Sequence, residues 1–149
     1  MKTLNEEFVE VSYNPFLKSV VVKWMEINTL TDCQKALDSV LETLVCFNCK
    51  NVISDLSYGR TYSGIVTDWL RIEFIPKLTN QGVKKIAFLI ESNHPNSFFF
   101  EKMKKNSETF NNFKVFSNRK ELEGWLKDYE LIPKPAVVQN DAARFGYFL

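Results

Sequence analysis

The 149-residue chain reads as a one-domain α/β sandwich: a mixed, mostly parallel sheet of about five strands with an antiparallel N-terminal hairpin at its edge, and about four helices. Three observations predict that class. Short β-branched runs recur between stretches whose apolar residues repeat every three or four positions, as strands alternating with covering helices require. Two strand-like runs follow each other at the N-terminus across Asn14-Pro15, a turn signal that closes a hairpin. The run KKIAFLIE is apolar on both of its faces, as an interior parallel strand must be.

Each element has its own justification. Residues 7–14, EFVEVSYN, alternate apolar and polar with a period near two, and SVVVKWMEI, residues 19–27, is β-branched. Cys33, Ala36, Leu37, Val40, Leu41, Leu44 and Val45 form the apolar stripe of a helix from about Asp32 to Phe47, with Thr31 or Asp32 as its cap. NVISDL follows as a short strand. A second helix should run from near Ser63 to Asn80-Gln81-Gly82, with Ile65, Trp69, Ile72 and Ile75 facing inward and Val66 and Leu70 widening that face. Gly82 suits a left-handed cap, and Pro76, lacking an N–H, should bend the last turns. After KKIAFLIE and the turn SNHPNS, FFFEKMKKNSE reads as a short helix capped by Asn96 or Ser97. FKVF (113–116) is a last strand, and Asn118 caps RKELEGWLKDY with Leu122, Trp125 and Leu126 as its inner face. Residues 1–128 make the domain. The apolar tail 129–149 is expected to dock on that domain or on a second subunit.

Composition narrows the function. Hydrophobic residues at 45% and charged residues at 25% are those of a globular protein, and 13 phenylalanines favour a well-filled aromatic core. The net charge of +1 provides no field to attract nucleic acid, and no apolar stretch is long enough for stable membrane insertion. Without a secretory signal pattern, the three cysteines read as reduced thiols of a cytoplasmic protein.

Few residues carry chemistry. CFNC (46–49) places its first cysteine at a helix end, not at the helix N-terminus that would activate a thiol, and Cys33 and His94 do not complete a zinc set. His94 is the sole histidine, in a turn, with no nucleophile beside it, and the glycines form no phosphate loop. Phe98, Phe99 and Phe100, followed by Lys102, Lys104 and Lys105, read as core or dimer contacts more economically than as a membrane-binding run. The strongest candidate is the loop after the third strand. Asp55, Ser57, Tyr58, Arg60, Tyr62 and Ser63 stand where open α/β sheets bind ligands, outside the carboxyl end of a parallel strand, with Asp68 and Trp69 on the helix that follows. Asp55 and Ser57 can equally satisfy loop amides while Ser63 caps the helix.

The element order, Trp24 in the second strand, the third strand ending in Asp55, DWLRIEFIPKLTNQGVKKIAFLI (68–90) and FKVFSNRKELEGWL (113–126) together resemble the SpoIIAA-like group of the STAS superfamily over about residues 7–128. That resemblance implies the sandwich fold and a non-enzymatic binding or regulatory role. In anti-sigma-factor antagonists of the superfamily a serine at a helix start is phosphorylated. The nearest positions here are Tyr62, Ser63 and Gly64, without the Asp-Ser-Ser-Gly motif. Stand-alone members also resemble the lipid-binding CRAL-TRIO architecture. The expectation is a protein partner met through residues 55–63 and the following helix. The alternative is a carrier of a small apolar ligand, lined by Trp69, Phe74 and Phe98–Phe100. No cofactor or metal is expected, and the apolar tail makes a homodimer an option.

Overall fold

The structure, a computed structural model, describes residues 2–105 and 112–131. Apart from its first residues, the tail and its expected docking lie outside the described residues. The strands are β1 (Lys2–Asn5), β2 (Val9–Asn14), β3 (Ser19–Trp24), β4 (Asn51–Asp55), β5 (Lys85–Leu89) and β6 (Phe113–Phe116). The helices are α1 (Leu30–Cys46), α2 (Gly64–Trp69) continued through a π turn (Leu70–Phe74) into α3 (Ile75–Asn80), α4 (Ser97–Lys105) and α5 (Arg119–Leu131). Counting α2–α3 as one rod, four helical bodies among the described residues cover the sheet, as the sequence predicts.

The sheet has six strands in the order β1-β2-β3-β4-β5-β6. β1–β2 and β2–β3 pair antiparallel, and every later pair is parallel. The sixth strand, β1, corrects the count of five. KTLN is too short and too polar to show a period, and it becomes a strand only by adding to the free edge of β2. In the β2–β3 turn, Asn14 Oδ1 accepts the N–H groups of Phe16 (2.9 Å) and Leu17 (3.0 Å), so the side chain builds the turn that Asn14-Pro15 signals.

Alternation along the strands divides the core into two layers. Val20, Val22, Trp24, Val52, Ile86, Phe88, Phe113 and Val115 point to the face that α1, α2–α3 and α4 cover. Val21, Ile53, Ala87, Leu89 and Phe116 point to the other face and meet Leu122 and Leu126 of α5. Burying those two leucines contributes ~1.5–3 kcal/mol each, enough to seat an amphipathic helix. Lys85, buried at the start of β5, donates from Nζ to the Trp125 carbonyl and lies 4.7 Å from the Trp125 ring centre, which ties α5 to the sheet. Towards β2 the same face turns polar, with Glu10 and Lys23 opposite each other across β2–β3 and paired at 3.7 Å.

Two helix details differ from expectation. The α1 cap is Thr29, not Thr31 or Asp32: Thr29 keeps an extended backbone (φ −122°, ψ 151°), and its hydroxyl accepts the Asp32 N–H at 3.1 Å. Asp32 then lies in the first turn, where a carboxylate favours the helix dipole. In α2–α3, Val66, Trp69, Leu70, Phe74, Ile75 and Leu78 are buried, whereas Ile65 and Ile72 are 60% and 53% exposed. Ile65 lies in the first turn of α2, where Val66 takes the inward place. For Ile72 the reason is the π turn, in which the Ile75 N–H reaches back to the Leu70 carbonyl. The extra residue per turn shifts the inward phase from Ile72 to Phe74. It also widens the helix just before Pro76, whose ring would otherwise crowd the preceding turn. Gly82 closes the rod at φ +99°, the left-handed cap expected of it.

Candidate functional site

β4 ends at Asp55, and the chain stops extending there for a local reason. Asp55 Oδ1 accepts the Ser57 N–H at 3.0 Å, an aspartate turn that competes with the sheet ladder. Its side chain is buried on the α5 face, where Oδ2 lies 4.0 Å from Nη1 of Arg119 at the first turn of α5. The Leu56 N–H still donates to the Leu89 carbonyl at 2.8 Å, so the loop proper begins at Ser57.

The loop from Ser57 to Ser63 folds around one phenol. The buried Tyr62 hydroxyl accepts the Gly59 N–H at 3.0 Å and faces the carbonyls of Trp24 (3.0 Å) and Leu56 (3.1 Å), which share its single proton. Burial pushes the Tyr62 phenol well above its ordinary range, with the charges of Asp55 and Glu26 adding to the effect and the Gly59 bond opposing it. Gly59 has no room for a side chain: a Cβ there would meet the Tyr62 oxygen at 2.5 Å and the Met25 carbonyl at 2.6 Å. One residue on, the Arg60 N–H donates to Glu26 Oε2 at 3.1 Å, which fastens the loop to the chain leaving β3.

A second clamp comes from the β5–α4 connection. Asn96 grips the Tyr62 backbone from both sides: Oδ1 accepts the Tyr62 N–H at 2.7 Å, and Nδ2 donates to the Tyr62 carbonyl at 3.0 Å. The Thr61 hydroxyl adds a bond to Asn96 Oδ1 at 3.4 Å. His94 lies with its ring 5.6 Å from that of Tyr62 and nearly parallel to it, at 15°. Its Nδ1 accepts the Asn96 N–H at 3.0 Å, so the proton of the neutral ring is on Nε2, which meets the Gly59 carbonyl at 2.8 Å.

The predicted site residues therefore divide. Asp55, Tyr62 and Trp69 are buried. Trp69 packs edge-on against Trp24 (5.9 Å) and beside Phe74 (5.6 Å). Ser57 is half-buried, while Tyr58, Arg60, Ser63 and Asp68 are exposed, with Thr61, Gly64 and Ile65 among them. Tyr58 stands over Lys23, whose ammonium is 5.4 Å from the ring centre. Ser63 (φ −69°, ψ 162°) is the cap of α2, its hydroxyl accepting the Val66 N–H at 3.4 Å, and Asp68 pairs with Arg71 at 3.7 Å. The residues that sequence reasoning left out are Glu26, His94 and Asn96. The available signal was topological: β3, β4 and β5 are parallel neighbours, so the loops after them must lie side by side.

The cysteines stand apart from this loop. Cys46 is exposed, and Cys49 is half-buried with its thiol against the carbonyls of Lys18 (3.1 Å) and Asn51 (3.3 Å). Cys33 is buried in the core, where burial, reinforced by Asp32, pushes its thiol up to about 11. Among the described residues no group of three His, Cys, Asp or Glu side chains is placed to hold a metal ion, and no helix is long and apolar enough to cross a membrane. Trp69 and Phe74, which motivate the apolar-ligand reading, pack against Trp24, and Phe74 also against Phe88. Compared with known proteins, the chain matches no family model and no curated protein.

Proposed function

We propose that this protein is a non-enzymatic binding or regulatory module of STAS-like type, which meets a protein partner through residues 57–65 and the exposed side of α2. The observation that carries this reading is the contrast between a loop backbone clamped around the buried Tyr62 and the exposed side chains it displays. Tyr62, Asn96, His94 and Glu26 hold the loop backbone, while Tyr58, Arg60, Thr61, Ser63 and Ile65 face outward. A loop ordered in the free protein loses little further entropy when a partner binds, which is the condition for a recognition surface. An aromatic and an arginine on that loop are the residue types that carry most contact energy at protein interfaces. The parallel crossovers and the capping serine support the resemblance to the STAS superfamily.

Ser63 is the natural position for regulation in this reading. A phosphate there would place nearly two negative charges on the loop, three residues after Arg60 and ahead of the Asp68–Arg71 pair. The experiment is capture from extract of the native host by the wild type, Tyr58→Ala/Arg60→Ala, Ser63→Ala and Ser63→Asp proteins. A partner retained by the wild type and lost with Tyr58→Ala/Arg60→Ala at unchanged melting temperature supports the surface, and identical captured sets reject it. Equal retention by Ser63→Ala and Ser63→Asp removes the switch at Ser63.

A further inference from the structure

We infer that His94 is a proton-operated latch on the loop 57–63, closed when its imidazole is neutral and opened when Nδ1 takes up a proton. This deepens the proposed role of that loop by assigning its regulation, and it rests on that reading only for its purpose, not for its chemistry. The latch is visible in the bonding pattern. Nδ1 is an acceptor, because the group facing it at 3.0 Å is the Asn96 N–H, which can only donate. Nε2 faces the Gly59 carbonyl at 2.8 Å, which can only accept. The neutral Nε2–H tautomer satisfies both contacts. The imidazolium cannot, because a proton on Nδ1 would point at the Asn96 N–H.

The consequence runs from Asn96 to the loop. Its side chain binds Tyr62 through both N–H and carbonyl, so a displaced Asn96 backbone withdraws the amide that holds Tyr62, while the Nε2–H of the imidazolium can still donate to the Gly59 carbonyl. The surrounding charges are mixed. Tyr62 is the titratable group in contact with the ring, and burial keeps its phenol protonated throughout the range in which a histidine titrates. Glu26 and Arg60 meet beyond Gly59, Asp55 lies within electrostatic reach of Tyr62, and the Glu91 carbonyl accepts the His94 backbone N–H. None of these groups supplies an acceptor for a proton on Nδ1, since Asn96 already occupies that direction.

The test needs no partner, so its failure is distinguishable from failure of the binding reading. Amide exchange, corrected for the intrinsic pH dependence of exchange, is followed by NMR from pH 8 to pH 5 in the wild type and in His94→Gln. Imidazole nitrogen shifts at pH 8 report the tautomer. The expected result is an Nε2–H ring at pH 8. Protection at the Asn96 and Tyr62 amides should fall at least about tenfold on acidification, while the Leu56 amide in the sheet stays protected and His94→Gln shows no such pH step. Flat protection of Asn96 and Tyr62 in the wild type, an Nδ1–H ring at pH 8, or the same step in His94→Gln overturns the latch.

Discussion

Tyr62→Phe removes one oxygen and keeps the ring, which makes it the sharpest probe of the loop clamp. The hydroxyl serves three buried groups: the Gly59 N–H at 3.0 Å, the Trp24 carbonyl at 3.0 Å and the Leu56 carbonyl at 3.1 Å. With the oxygen gone, the Gly59 N–H loses its acceptor and the two carbonyls lose a shared donor. A buried donor or acceptor left unpaired costs ~1–3 kcal/mol, so the N–H and one carbonyl together put the loss at about 2–6 kcal/mol. For a chain of this size that lowers the melting temperature by roughly 5–25 °C. Gly59→Ala attacks the same contact from the other side, because its Cβ would sit 2.5 Å from the phenol oxygen. Urea denaturation of both single variants and the double variant tests the coupling. In Tyr62→Phe the oxygen is gone, so Gly59→Ala loses one of its clashes (the Met25 carbonyl at 2.6 Å still opposes the Cβ) and has no phenol bond left to break. The double variant should therefore be less destabilised than the sum of the singles by ~1 kcal/mol. A Tyr62→Phe loss below ~0.5 kcal/mol, or strict additivity, would refute the clamp.

The remaining predictions concern the core and the helix ends. Ser54→Ala strands the buried Trp24 indole N–H, which donates to Ser54 Oγ at 2.8 Å, and should cost ~1–3 kcal/mol in denaturant titration. Alkaline pH should destabilise the fold. The Cys33 thiol is held protonated up to about 11 against an ordinary value of 9.0, so the unfolded chain loses that proton first. The stability is fully present below pH ~9 and declines by up to ~1.4 kcal/mol per pH unit as pH rises to about 11. Cys33→Ala removes that part of the slope, and parallel alkaline profiles for wild type and variant would contradict it. Gly82→Ala, which forces a side chain onto φ +99°, should cost ~1 kcal/mol, whereas Gly64→Ala, with open space at its Cβ, should be neutral within ~0.5 kcal/mol in the same assay.

Much of the fold was legible because its elements carry clean periods. β2 alternates, β5 is apolar from Ile86 to Leu89, and Cys33, Ala36, Leu37, Val40 and Leu44 of the α1 stripe are buried as their spacing requires, whereas Leu41 is half-buried and Val45, in the last turn, is exposed. β1 was illegible because KTLN has no period of its own and gains strand structure only from its neighbour β2. The inward face of α2–α3 was misread at Ile65, where the neighbouring Val66 is the buried residue, and at Ile72, since a uniform helical period cannot represent a turn with an added residue. Pro76 was the trace of that turn, and a bend was the natural but incomplete inference from it. At the site, topology located the loop, while burial within it was hidden. Tyr58 and Tyr62 are alike in sequence, and only the carbonyls of Trp24 and Leu56 decide that Tyr62 goes inside. The Asn96–Tyr62 bonds span 34 residues, beyond any local pattern.

The placement of Asp55 bears on how the loop is held. Successive residues at the end of β4 face opposite sides of the sheet. Ser54 meets Trp24 in one layer, Asp55 meets Arg119 beside the other, and Leu56 returns to the first. The strand therefore enters the loop pinned on both faces, and its register cannot slip by one residue without burying Ser54 against α5 and pushing Asp55 into the Trp24 layer. Asp55 then fixes Ser57, Tyr62 fixes Gly59, Glu26 fixes Arg60 and Asn96 fixes Tyr62. Four successive anchors over eight residues leave the backbone of the loop determined while Tyr58, Arg60 and Thr61 remain exposed. A loop that served only to connect β4 to α2 would not need that many side-chain bonds to its backbone, whereas a loop that presents side chains in one geometry does.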